Sequence, residues 1–167
     1  MTGTGKLQVT TPSDREVLIT RSFDAPRSLV FDCNTKPELV RRWLLGPPGW
    51  TMPVCDIDLR VGGTHRYVWR NEDGRDMGMG GTFREIAVPG RLVTTELFDE
   101  DWTGGETRVT TVFTERGGRT TVTMKVLYAS KEARDGALKT GMTEGMEAGY
   151  QRFDELLAAQ AGAKGAA

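Results

Sequence analysis

From Glu16 to Phe23 apolar and polar positions alternate, Val17, Ile19 and Phe23 standing against Thr20 and Ser22, and this period of two predicts a half-buried strand. Asp24, Ala25 and Pro26 end it. Pro26 suits the first turn of a helix whose apolar face is Leu29, Val30 and Cys33. Asn34 to Pro37 breaks that helix and leads into a second short one carrying Leu39, Val40 and Trp43, which the loop Gly46-Pro47-Pro48-Gly49 stops. From Met52 the period of two returns. Strands are predicted over 54–61, 64–70, 76–87, 91–98, 108–114 and 119–128, separated by turn residues such as Asn71 to Gly74, Pro89-Gly90 and Gly117-Gly118. Connections of hairpin length make this an antiparallel meander, and threonine-rich outer positions suit a sheet with one wet face.

The C-terminal stretch changes period again. Leu138, Met142, Met146, Gly149, Phe153 and Leu156 recur at steps of four and three, which predicts one long helix from Ser130 to Ala159 with Ser130 as its N-cap. At ~1.5 Å per residue the rod is roughly 40 Å long and crosses a whole small domain. Gly141, Gly145 and Gly149 also align, although an interior glycine costs about 1 kcal/mol against alanine. Two compensations fit: close backbone approach by a neighbour, or space for a guest molecule beside the flexible Met142 and Met146. Methionines as plain core filler fit the same pattern. The order of elements predicts an α+β helix-grip fold, a curved antiparallel sheet of about seven strands wrapped on the long helix. The two short helices after the first strand close one end. Tyr67, Trp69, Phe83, Phe113 and Met124 face the helix, leaving a cavity where glycines replace bulk.

A chain of 167 residues fits one domain, expected over residues 15–159, with frayed tails at 1–14 and 160–167 where there is little to bury. The 22 basic and 23 acidic residues are spread along the chain and leave a net charge of −1, which points to neither nucleic acid nor an anionic membrane as partner. The first thirteen residues lack the apolar segment of a signal peptide, and no uncharged apolar run approaches a membrane span, so a cytoplasmic location is expected. Cys33 and Cys55 lack CxxC spacing and read as reduced structural thiols.

Several separated stretches carry a resemblance: Arg21 to Arg27 (RSFDAPR), Pro37 to Trp43 (PELVRRW) with Gly46-Pro47, Asp58 to Gly63 (DLRVGG), Gly81 to Ile86 (GTFREI), and Gly141-Met142 with Gly145 and Gly149. Together, from about Val17 to Leu157, they resemble the bacterial Hsp90 ATPase activator homologue-like proteins of the START/Bet v 1-like superfamily. The resemblance implies a helix-grip fold and, across the wider superfamily, a cavity that binds lipids, hormones, flavonoids or polyketides. A minority of that superfamily are cyclases or hydrolases. Hsp90 activation ranks lower among the implications, because the eukaryotic activator carries a separate N-terminal domain for which these residues have no room. His65 stands where many relatives carry an aromatic residue, and Tyr150 where they often have tryptophan.

Little in the sequence supports catalysis. His65 is the sole histidine, no GxSxG elbow is present, and neither an HExxH motif nor another metal-ligand spacing occurs, so no metal and no cofactor are expected. His65 reads as a wall histidine, a polar anchor for a ligand, or a general base. Glu85 and Glu96 enter the cavity if a bulge shifts strand parity and are otherwise surface carboxylates. Trp43, Trp50 and Trp102 either rim the cavity mouth or pack loop against core. The expected function is non-catalytic binding of a small hydrophobic molecule, in a carrier, sensor or stress-response role. The binding set is His65, Tyr67, Trp69, Met79, Gly81, Phe83, Met142, Gly145, Met146, Gly149 and Tyr150. A cyclase or hydrolase using the same cavity needs two ionisable groups converging there with shifted pKa values. An Hsp90 cochaperone needs an exposed apolar patch. Both stay as alternatives, and a homodimer stays open.

Overall fold

The computed structural model describes residues 6–100 and 104–166, the last six by backbone alone; Trp102 lies outside the described residues. Eight strands form one antiparallel sheet: β1 (Gln8–Thr10), β2 (Glu16–Phe23), β3 (Thr51–Ile57), β4 (Thr64–Arg70), β5 (Asp76–Ala87), β6 (Arg91–Phe98), β7 (Thr107–Arg116) and β8 (Arg119–Leu127). Their spatial order is β1-β2-β8-β7-β6-β5-β4-β3. The meander from β3 to β8 is the one that the period of two predicts, and β2 closes it by pairing with β8 from Glu16–Leu127 to Phe23–Thr120. Helices α1 (Arg27–Thr35) and α2 (Pro37–Val40) fill the connection between β2 and β3.

Four expectations need correction. Gln8–Thr10, placed in a frayed tail, pairs with β2 as an eighth strand, with Val9 opposite Ile19. β3 ends at Ile57 rather than at Val61, because Asp58 N–H donates to the Thr64 carbonyl at 2.9 Å and closes a hairpin in which Gly62 takes a positive φ of 84°. The C-terminal helix is two helices, α3 (Lys131–Leu138) and α4 (Met142–Ala166). Gly141 stands at φ 79°, a conformation open to glycine and costly for side-chain-bearing residues, so the chain changes direction there although the apolar stripe runs on. Finally, α4 continues to Ala166, past the predicted end at Ala159. Ser130 does cap α3, its hydroxyl accepting from Ala133 N–H at 3.0 Å.

The core lies between the sheet's concave face and α4. Phe153 of α4 is fully buried against Phe23 of β2, ring centroids 4.6 Å apart, and stacks on Trp43 at 4.3 Å. Phe113 packs edge-on against Phe31 of α1 at 5.4 Å. The segment after α2 is fastened by Trp43 Nε1–H to the Cys33 carbonyl at 2.8 Å and by Arg152 of α4 to the Gly46 carbonyl at 2.7 Å. A second cluster around Val40, Met52, Cys55, Trp69 and Met79 holds the other end of the sheet. A cavity lies between the sheet and α4.

Candidate ligand cavity

Alternation along β4 puts His65, Tyr67 and Trp69 on one face, and the rings form a continuous wall, 5.5 Å from His65 to Tyr67 and 5.7 Å from Tyr67 to Trp69. Phe83 of β5 meets His65 edge-on at 5.5 Å. Trp69 Nε1–H donates to the Leu44 carbonyl at 2.7 Å, tying the segment after α2 over this wall. Met142, Met146 and Tyr150 of α4 stand opposite. The space between them is about 690 Å³, within the range of small-molecule sites. His65, Tyr67, Trp69, Met79, Phe83, Met142, Gly145, Met146, Gly149 and Tyr150 all border it.

Gly81 does not border it, and its role is different. Between the Gly80–Leu97 and Phe83–Thr94 pairs the β5–β6 ladder is interrupted, and a bulge follows between Phe83 and Glu85. A Cβ on Gly81 would overlap the Thr95 carbonyl and come within 2.9 Å of His65 Nε2. Glycine there lets the histidine reach that carbonyl, at 3.0 Å. The Thr95 hydroxyl in turn accepts from Thr82 N–H at 3.0 Å, so side chains satisfy backbone groups that the broken ladder leaves free.

A carbonyl only accepts, so Nε2 carries the proton and Nδ1 keeps the lone pair. His65 is 4% exposed and its Nδ1 is buried without a hydrogen-bond partner among the described residues. Desolvation holds its pKa below the ordinary value, only partly offset by the bond to Thr95, and the ring is neutral at pH 7.

Strand β6 adds a carboxyl to the cavity wall. Leu92, Thr94, Glu96 and Phe98 alternate along β6 and share its concave face. Glu96 is half-buried, its carboxyl surrounded by protein on every side but the cavity; it makes no side-chain hydrogen bond among the described residues, and desolvation pushes its pKa up to about 7. Tyr67 and Tyr128 are raised mainly by burial, to about 12 for Tyr128, and the nearby Glu96 adds to both. Tyr128 Oη–H points to Met142 Sδ at 3.7 Å; the Tyr67 and Tyr150 hydroxyls have no partner among the described residues. Glu85 stands outside, exposed and paired with Arg91 at 3.0 Å. Ordinary alternation admits Glu96, without the parity shift that its entry was expected to need; the apolar residues Leu92 and Phe98 at even positions are the signal that finds it.

Of the glycine stripe, Gly141 makes the turn through its positive φ and Gly149 is explained by close approach, to a loop rather than to a strand, whereas Gly145 has room for a Cβ. A Cβ on Gly145 would touch Pro47 Cδ at 3.5 Å, and one on Gly149 would press on the Trp43 carbonyl at 3.2 Å. Gly149 seats the 43–47 segment on α4. Trp43 is buried in the core as well as bordering the cavity, and Trp50 borders it half-buried.

Arg21 was not singled out, yet it shares the inward face of β2 with Ile19 and Phe23. It is 3% exposed and grips Asp154 of α4 through two bonds, 2.8 and 2.7 Å, with Glu147 at 3.5 Å and its guanidinium 4.8 Å from the Phe23 ring centroid. This buried fork fixes α4 to β2 alongside the cavity.

A curved antiparallel sheet closed by a C-terminal helix over an apolar cavity defines a helix-grip protein. The chain belongs to the family described as Activator of Hsp90 ATPase homolog 1-like protein, whose model matches residues 24–158. A crystal structure from Rhodobacter sphaeroides is similar at 35% identity and a TM-score of 0.88, covering 93% of this chain and 99% of that one. One from Mycobacterium smegmatis is similar at 26% identity and 0.78, covering 92% and 96%. A Silicibacter pomeroyi member of the family shares the fold at 20% identity and 0.69, covering 87% and 99%. None of the curated proteins matches the chain.

Proposed function

We propose that the protein binds a small, largely apolar molecule between α4 and the concave face of the sheet, as a carrier or sensor. The observation that carries this reading is the cavity itself. About 690 Å³ bordered by Trp, Tyr, Phe, Met, Leu and Val side chains, with His65 Nδ1 buried and without a partner among the described residues, has the make-up of a site that orients a guest. A cavity of this size left empty forfeits dispersion contacts along its whole lining, which a guest restores. Native mass spectrometry of the protein purified from its own host tests the reading. A defined extra mass, lost on collisional activation, is expected. Recovery of bare protein alone, together with no uptake of any apolar probe, contradicts it.

The raised pKa of Glu96 favours a second reading, acid–base chemistry on the bound guest. It is decided by incubating a recovered guest with protein at pH 7 and following it by mass. Conversion that disappears in Glu96→Gln makes the protein an enzyme; an unaltered guest leaves it a binder. Stimulation of Hsp90 ATPase is not expected under either reading, and a strong stoichiometric stimulation overturns both rankings.

A further inference from the structure

The chemistry of the cavity wall is one-sided. Glu96 and Glu100 border the cavity, and no lysine or arginine does among the described residues. Of the buried side-chain atoms without a partner among the described residues, His65 Nδ1 is the one that borders the cavity, a lone-pair acceptor because Nε2–H is committed to Thr95. The hydroxyls of Tyr67 and Tyr150 donate or accept as needed. Above pH 7, where Glu96 is ionised, its carboxylate and His65 Nδ1 are fixed groups that only accept. Aromatic rings lie close by, Trp69 stacking on Phe98 at 6.4 Å with Tyr67 edge-on to Trp69, and their faces attract positive charge.

From this, and resting on the reading of the cavity as a binding site, we propose that the guest is an apolar molecule with a hydrogen-bond-donating head, best a protonated amine. Glu96 is the group that recognises the head, and His65 Nδ1 accepts a second hydrogen from the guest.

A carboxylate-headed guest such as a fatty acid meets no cation here and brings a second negative charge beside Glu96. An alcohol-headed guest satisfies one acceptor without ion pairing. An ammonium-headed guest neutralises Glu96, the one carboxyl that the sheet presents to the cavity among the described residues, in surroundings where a charge-assisted bond is strong. The groups facing Glu96 leave that role to it. Tyr67 from β4 and Tyr128 after β8 are neutral, burial raising their pKa values further, His65 is neutral, and Glu100 is the other carboxyl at the cavity border. Since burial places the carboxyl half-protonated near pH 7, an ammonium binds with proton release, and its affinity rises from pH 6 to pH 8.

The test uses naphthylmethylamine, naphthylmethanol and naphthoate, three probes with one apolar body and different heads, titrated calorimetrically into wild type and Glu96→Gln. At pH 8 the amine is expected to bind wild type at least about tenfold tighter than naphthoate, with an advantage over the alcohol that Glu96→Gln erases. The wild-type pH series is a second readout that needs no variant, and the amine should gain affinity from pH 6 to pH 8 while the alcohol does not. If the alcohol binds and the amine has no advantage, or naphthoate matches the amine, the head-group proposal is wrong and the cavity reading stands. An amine preference that survives Glu96→Gln also overturns it. If none of the three binds, both proposals fall.

Discussion

Replacing Glu96 by glutamine should stabilise the protein, by an amount that grows with pH. The carboxyl has an ordinary pKa of 4.5 and is pushed up to about 7 by burial in the cavity wall. An acid whose folded pKa is raised costs nothing below its unfolded pKa, where it is protonated in both states. Between 4.5 and 7 the unfolded chain ionises while the folded chain holds its proton, so wild-type stability falls as pH rises; above 7 the loss is complete. At about 1.36 kcal/mol per pH unit, the span from 4.5 to 7 amounts to about 3 kcal/mol. Glutamine keeps the shape and cannot ionise. The stability difference between Glu96→Gln and wild type should therefore widen by about 3 kcal/mol from acid to pH 8, equivalent to roughly 6 to 12 °C in Tm for a domain of this size. Urea unfolding of both proteins at half-unit steps from pH 4.5 to 8.5 reads it directly. A difference that stays flat across the series refutes the reasoning, because it means the carboxyl is solvated and does not face an apolar enclosure.

Asp154→Ala leaves the buried Arg21 with Glu147 at 3.5 Å as its nearby carboxylate and the Ser22 carbonyl at 3.1 Å, and should cost about 3 kcal/mol by urea unfolding; a loss below about 1 kcal/mol contradicts the fork's role in holding α4. Gly145→Ala meets Pro47 at ordinary contact and should stabilise by about 0.5–1 kcal/mol through helix propensity, whereas Gly149→Ala presses on the Trp43 carbonyl and should show no such gain; equal gains in thermal unfolding contradict the close approach. Ser130→Ala removes the α3 cap and should cost about 1 kcal/mol, checked by the same unfolding measurement.

The sheet was legible because strand polarity along 64–70, 76–87 and 91–98 follows a period of two, and turn residues punctuate it at hairpin spacing. The break between α3 and α4 was harder to read. Leu138 and Met142 keep helical spacing across it, so the stripe hides the turn that the positive φ of Gly141 makes. β1 carries too little apolar content in Gln8–Thr10 to announce itself, and exists because β2 offers an edge. Ten of the eleven residues expected to bind a guest border the cavity, which follows from face alternation and helical spacing alone. The exception, Gly81, supports His65 from behind, a role that depends on an interrupted ladder and on the position of Thr95. The same dependence hides the His65 tautomer, since the carbonyl that fixes it lies thirty residues away. Glu96 and Arg21 sit at inward positions of well-formed strands. Parity locates both; what each one meets there is set by tertiary packing.

The central claim is that a guest occupies the space between α4 and the concave sheet, and a cavity-filling substitution tests it most directly. Thr111 of β7 borders the cavity and is only half-buried, so Thr111→Trp should place an indole in the guest's volume without displacing core side chains. With naphthylmethanol as probe and near-ultraviolet circular dichroism to establish that the variant is folded, wild type is predicted to bind and Thr111→Trp to lose at least about tenfold in affinity, more than 1.4 kcal/mol. Equal affinity in the two folded proteins would place the bound probe elsewhere and contradict the account.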